Sequence, residues 1–179
     1  MRQTKYVPSG GTAYTESKDM KKLGEYAKKG WILESFVPFG YKLRKGESKN
    51  IEYSLDYRKI ADDDYFAYFE AAGWTHVCSM GNQIHVFKAP AGTKPIYSDK
   101  ITQIEKYETE KKRMGKVAFP TLILTSLLLL LGILSSYGWI PVMIGTAGTL
   151  LGIVSLIVLV FTGLPYIGFK FKLNRLRKD

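Results

Sequence analysis

The 179-residue chain has a single cysteine, Cys78, and two histidines, His76 and His85. One cysteine excludes an internal disulfide and fits a reducing compartment. No Ser-centred nucleophile elbow, phosphate-cradling glycine loop or His-Glu zinc motif is present, so the sequence carries no signature of catalysis, and neither an enzyme activity nor a cofactor is expected. The opening residues, "MRQTKYVPSGGTAY", lack an apolar core region and a small-residue cleavage site, which argues against a secretory signal. Charge is missing altogether from two long stretches near the end of the chain.

Residues 117–136, "VAFPTLILTSLLLLLGILSS", and residues 142–163, "VMIGTAGTLLGIVSLIVLVFTG", contain no Asp, Glu, Lys or Arg. Each is about as long as a helix needs to be to cross the hydrocarbon core. Neither keeps a polar face to offer water, so a membrane hairpin is expected rather than a buried pair. Lys106, Lys111, Lys112, Arg113 and Lys116 precede the first span, and Lys170, Lys172, Arg175, Arg177 and Lys178 follow the second. The intervening "YGWIP" is neutral. That asymmetry orients both termini to the cytoplasm of a two-pass cell-membrane protein, with Tyr137 and Trp139 at the far interface.

The net charge is +10. Sixteen basic residues face twelve acidic ones up to residue 100, and ten face four beyond it, so the excess concentrates beside the spans. Anionic inner-leaflet lipid is the expected partner for it, at about 1 kcal/mol per basic residue. No basic stripe with interleaved aromatics marks the rest of the chain, and nucleic acid is not expected as a partner.

Two segments, "YAKKGWILESF" and "FEAAGWTHVCSMGN", run from helix-like composition through Gly-Trp into strand-like composition. A helix closed by a Schellman turn needs a left-handed C′ residue, usually Gly, and an apolar C″ that touches C3. Gly30, Trp31 and Tyr26 take those places in the first segment, and Gly73, Trp74 and Phe69 in the second. The first helix is expected to start at Thr15 or Ser17 and to bury Met20, Leu23, Tyr26 and Ala27. The second is expected to start in Asp62-Asp63-Asp64 and to use Tyr65, Phe66 and Phe69. Strands are predicted in "TKYV", "ILESFV" and "YKLR", then in "IEYSLDYRK", "THVCSM" and "QIHVFK". In the fourth of these Ile51, Tyr53, Leu55 and Tyr57 alternate with a wet face of Glu52, Ser54, Asp56 and Arg58.

The predicted class is α+β: two βαββ units, residues 1–46 and 51–89, forming an antiparallel sheet with helices on one face. "PAGTKP" is a turn-rich linker that closes a domain of residues 1–96. A stalk helix over 97–116, capped by Ser98, then leads into a transmembrane hairpin over 117–163 and a basic cytoplasmic tail over 164–179.

The segments "GYKLRKGE", "YSLDYRK" and "FEAAGWTHVCSMGN", with the two-span tail, resemble the family catalogued as domain of unknown function 2812, found in Gram-positive bacteria. The resemblance spans most of residues 4–108. It implies no established activity and brings no catalytic residues. Family genes that lie beside winged-helix repressors of the PadR type imply a role in stress or drug response.

A two-residue Gly-Asn loop at Gly81-Asn82 would pair Cys78 with His85 and His76 with Phe87, and place Cys78, His76 and His85 on one face. Those are zinc or copper ligand types, but cysteine and histidine also serve as ordinary core and rim residues, and no metal site is assigned. "SGGT" at residues 9–12 reads as an ordinary turn, and the Asp triplet as a helix start. Gly148 and Gly152 form a GxxxG that faces either the first span or a second copy of the chain, with homo-oligomerisation the outcome in the latter case. The expected function is a membrane-tethered cytoplasmic sensing or protein-interaction domain with an unknown protein partner. The alternative is an immunity or resistance protein against a membrane-active peptide or drug. Tyr14, Tyr41, Tyr57 and Phe87 are the expected contact residues.

Overall fold

The alternating stretches and the two Gly-Trp stops become β1 (Thr4–Pro8), α1 (Thr12–Lys28), β2 (Trp31–Val37), β3 (Gly40–Lys45), β4 (Ile51–Tyr57), α2 (Asp63–Ala71), β5 (Thr75–Met80) and β6 (Ile84–Pro90). Two long helices follow, α3 (Lys100–Ser136) and α4 (Val142–Lys178). This computed structural model describes residues 3–96 and 100–178, so Ser98 lies outside the described residues. The chain divides into two units, Met1–Gln103 and Ile104–Asp179.

In the first unit all strand pairing is antiparallel, in the orders β1-β3-β2 and β4-β6-β5. The α+β class and the βαββ order are as the sequence implies, and two details differ. The strands form two three-stranded sheets in place of one, with β2 and β5 neighbours where the sheets meet. Both of these strands carry an irregularity, between Leu33 and Ser35 in β2 and between His76 and Cys78 in β5. A bulge interrupts the row of N–H and C=O groups that a continuous ladder needs, which explains why pairing stops at this seam.

The helices also take different faces of the second sheet. Met20, Leu23 and Ala27 of α1 pack in the main core with Leu33, Leu43, Leu55 and Val86. Phe69 of α2 packs in a smaller core with Trp74, Phe87 and Ala89. Successive side chains of β6 point to opposite faces, so Ile84 and Val86 join the first core while Phe87 and Ala89 join the second. A strand apolar on both faces needs cover on both, and α1 and α2 supply it.

The helix stops follow the capping chemistry. Gly30 has φ 75 and Gly73 φ 84, the left-handed region open to glycine. At the second stop the Trp74 N–H donates to Phe69 O and the Gly73 N–H to Glu70 O, both at 2.9 Å, the two bonds of a Schellman turn. At the first, the Gly30 N–H donates to Ala27 O at 3.0 Å. Asp62 caps α2 by accepting the Tyr65 N–H at 3.0 Å. Helix α1 starts earlier than Thr15 or Ser17: Gly11, at φ 92, occupies the N-cap with no side-chain cap, and the Thr15 hydroxyl donates to Gly11 O. Glycine at that φ lets the chain turn into the helix without a capping side chain.

In the second unit, α3 and α4 are each long and apolar enough to cross a membrane, with a mean hydropathy of 2.4 in their most apolar windows. Only 11% of each window is buried, whereas the core helix of a soluble protein is mostly buried. The small residues of α4 lie against α3. A Cβ added at Gly145 would fall 2.1 Å from Ser135 Cβ, and one at Gly148 would fall 2.9 Å from Leu131 Cβ and 3.0 Å from the Leu128 carbonyl. The Thr125 and Ser155 hydroxyls bond at 2.7 Å across the same interface. The GxxxG face is therefore used inside the hairpin.

Residues 164–178 form the last turns of α4, which continues through Pro165. Phe169 and Leu173 are buried there. The Phe169 ring stacks 6.1 Å from that of Tyr107, and the Lys172 ammonium sits 4.0 Å from the Tyr107 ring centre. Ion pairs join Arg177 to Glu108 and, at 2.6 Å, Arg113 to Glu110.

Candidate functional site

The hairpin between β5 and β6 differs from the two-residue loop by one position. Its loop holds three residues, Gly81, Asn82 and Gln83, with Gly81 at φ 56. It pairs Met80 with Ile84, Ser79 with His85 and Cys78 with Val86. A one-residue slip sends a side chain to the other face of the sheet. Cys78 accordingly packs against the main core, where burial pushes its thiol up to about 11, opposed by a backbone hydrogen bond with Phe36. His76 still pairs with Phe87 because the bulge at Val77 absorbs the slip. Cys78 is thus separated from His76 and His85, and among the described residues no three His, Cys, Asp or Glu side chains form a metal-holding group.

The α2 face of the hairpin keeps His76 and His85 and adds Ser79. The Ser79 Oγ lies 2.9 Å from His76 Nε2 and 2.8 Å from His85 Nδ1. His85 Nε2 lies 3.0 Å from the Arg58 carbonyl. A carbonyl only accepts, so Nε2 of His85 carries the proton and its Nδ1 offers a lone pair to the Ser79 hydroxyl. The Ser79 oxygen is also within hydrogen-bond distance of His76 Nε2, with the donor set by the His76 tautomer. His85 is buried, whereas His76 and Ser79 are exposed. Burial lowers the His76 pKa, the neighbouring His85 lowers it further, and a backbone hydrogen bond with Cys78 opposes both.

Helix α2 lays aromatic rings over this chain of bonds. The Phe66 ring is 4.8 Å from His76 and 5.7 Å from His85, and the Tyr65 ring is 5.5 Å from His85. The Tyr65 hydroxyl donates to Asp56 Oδ2 at 2.7 Å. Asp56, which the alternation places on a wet face, is buried opposite His85 because α2 covers that face.

The expected contact residues divide. Tyr14 is exposed, and Tyr57 is half-buried with its hydroxyl donating to Glu16 Oε2 at 3.4 Å. Tyr41 and Phe87 are core residues, at 1% and 0% exposure, and are withdrawn as contacts. The Tyr41 hydroxyl donates to Asp19 at 3.4 Å, and burial raises its pKa. Glu16 and Asp19 are buried carboxylates of α1 that the sequence reading assigned no role. The signal was available, since Glu16 shares an i, i+4, i+7 stripe with Met20 and Leu23. Between α1 and β4 lies a groove of about 660 Å³ lined by Met20, Gly24, Ile51 and Tyr53, among others, with Lys21 and Glu52 adding charge.

An α+β domain joined to two helices able to cross a membrane defines the class of protein. The chain belongs to the family described as "Protein of unknown function (DUF2812)", whose model matches residues 15–119, from α1 into the apolar part of α3. No curated protein and no solved structure matches it.

Proposed function

We propose that this chain is a non-catalytic, membrane-tethered interaction or sensing module of a bacterial cell, its α+β domain held at the inner face of the cell membrane. The observation that carries this reading is the hairpin: α3 and α4 are apolar and exposed through their middle and basic at both open ends. Lys and Arg at both ends of a two-pass hairpin favour the cytoplasmic side for both termini, and they favour anionic lipid as the neighbour of the paired helix ends. The shared strand order, the Gly-Trp stops and the two bulges at equivalent places support a duplicated scaffold. The groove between α1 and β4, with the exposed Tyr14, is the surface offered to a protein partner. The family resemblance adds stress or drug response as its setting.

The test is a photo-crosslinking residue at Ser17, in the groove, carried by the full-length chain in intact membranes. One reproducible protein adduct, absent when the crosslinker replaces exposed Lys59 instead, is the expected result. Adducts to lipid alone would end the interaction reading.

A further inference from the structure

Both histidines of the chain converge on one hydroxyl, at 2.9 and 2.8 Å from Ser79 Oγ. The fold does not require polar groups there. Counting from the Gly-Trp stops and the shared register, His76 corresponds to Leu33, Ser79 to Phe36 and His85 to Tyr41. The first sheet fills those three places with side chains of its main core or packed against it. The second sheet instead places two imidazoles and a hydroxyl there, beside the Tyr65 and Phe66 rings of α2.

The orientation of the rings matches what a metal needs. His85 has its outer nitrogen tied to the Arg58 carbonyl, which fixes the tautomer and aims Nδ1 at Ser79. A ligating histidine is held in this way by a carbonyl or carboxylate on its other ring nitrogen. His76 aims Nε2 at the same oxygen from the exposed side of the hairpin, beside the Phe66 ring, and a turn about its side-chain torsions would bring both nitrogens to about 2.0–2.1 Å from one ion. The outer edge of the pair is open to water.

We propose that His76 Nε2 and His85 Nδ1 form a two-imidazole site for a borderline divalent cation of the zinc class, with Ser79 Oγ and water completing the coordination. A neutral His76 ligates through a lone pair on Nε2 with its single proton on Nδ1, and the Ser79 hydroxyl proton turns away from His85 Nδ1, so neither ring has to release a proton. The site is an exchangeable one, with two protein nitrogens and open positions, in contrast to a closed four-ligand structural site. Cys78 has no part in it, since its thiol belongs to the other face.

The experiment uses the untagged full-length chain in detergent micelles, stripped with chelator and titrated calorimetrically with zinc chloride alone. One ion per chain at micromolar free zinc and a higher melting temperature on loading are expected. His76→Ala, at an exposed position that leaves the buried ring in place, should weaken binding at least tenfold, and Ser79→Ala by less. Cys78→Ala should bind like the parent. Absence of one-to-one binding, binding unchanged by His76→Ala, or proton uptake on acidification with no zinc affinity at neutral pH would each overturn the site. Loss of zinc in a folded Cys78→Ala chain would overturn the placement of the ligands on the α2 face.

Discussion

Phe39 sits in the turn between β2 and β3 at φ 58, with 77% of its surface exposed. A bulky residue in the left-handed region costs roughly 1–2 kcal/mol, and here the ring buries too little to offset that. The bonds to the Phe39 carbonyl, from the Ser9 N–H at 2.9 Å and the Tyr6 hydroxyl at 3.1 Å, need no side chain at position 39. Phe39→Gly is therefore expected to stabilise the domain by about 1 kcal/mol in denaturant melts, after the entropy glycine adds to the unfolded chain. A lowered midpoint would show that the ring holds a contact. Two nearby titrations have opposite signs. Cys78, raised to about 11 from 9.0, stays protonated in the fold while the unfolded chain ionises, so its contribution is intact below pH 9 and falls as pH rises towards 11. Alkylation of the native chain at pH 8 should run about 100-fold slower than that of a free thiol, from the two-unit rise alone. His76, lowered from 6.5, is neutral in the fold where the unfolded chain binds a proton, so its contribution is present above pH 6.5 and is lost on acidification. Melts of the parent and of His76→Gln should converge as pH falls below 6, and parallel curves would count against it.

The two Gly-Trp stops share one capping geometry but not one environment. A Cβ on Gly30 would lie 2.7 Å from the backbone oxygen of Gly46, whereas on Gly73 it would meet only Thr93 Cγ2, at 3.5 Å. Gly73→Ala should cost about 1 kcal/mol, the left-handed penalty, and Gly30→Ala clearly more, because a backbone carbonyl just past the end of β3 cannot yield as a side chain does. Equal losses in denaturant melts would mean that the Gly46 segment moves freely. Such stops were legible in the sequence because they depend on residues one to five apart, as were the Asp62 cap and the alternation of Tyr53 and Leu55. Less legible was anything set by pairing between distant segments. The choice between a two-residue and a three-residue loop at Gly81 turns on one position, and that position decides whether Cys78 faces the histidines or the main core. The seam between β2 and β5 depends on bulges that no local pattern at Glu34 or Val77 announces. Likewise the burial of Asp56 follows from where α2 lands, and the Tyr65 hydroxyl that donates to it lies nine residues away.

The hairpin is where composition and structure constrain each other over the longest distance. At 1.5 Å per residue each 37-residue helix is about 55 Å long, well over the hydrocarbon core of about 30 Å that it is apolar enough to cross. The uncharged part of each helix fits the core, and the surplus is where Tyr107, Phe169 and the Arg177–Glu108 pair lie. Inside the core there is no hydrophobic drive to join two apolar helices, so association rests on close backbone approach and on the Thr125–Ser155 hydroxyl pair. That makes Gly148 a sensitive position, since its neighbour at 3.0 Å is the Leu128 carbonyl, which cannot turn aside. With Cys78 replaced by alanine, Thr125→Cys and Ser155→Cys should oxidise to a disulfide within one chain in native membranes, seen as a faster-migrating monomer on non-reducing gels. Adding Gly148→Leu should push the helices apart and cut the yield severalfold without lowering the amount of chain in the membrane. Disulfide-linked dimers in place of the intrachain bond would instead place the small-residue face between two copies, and a yield unaffected by leucine would remove close glycine packing as the force that holds the hairpin shut.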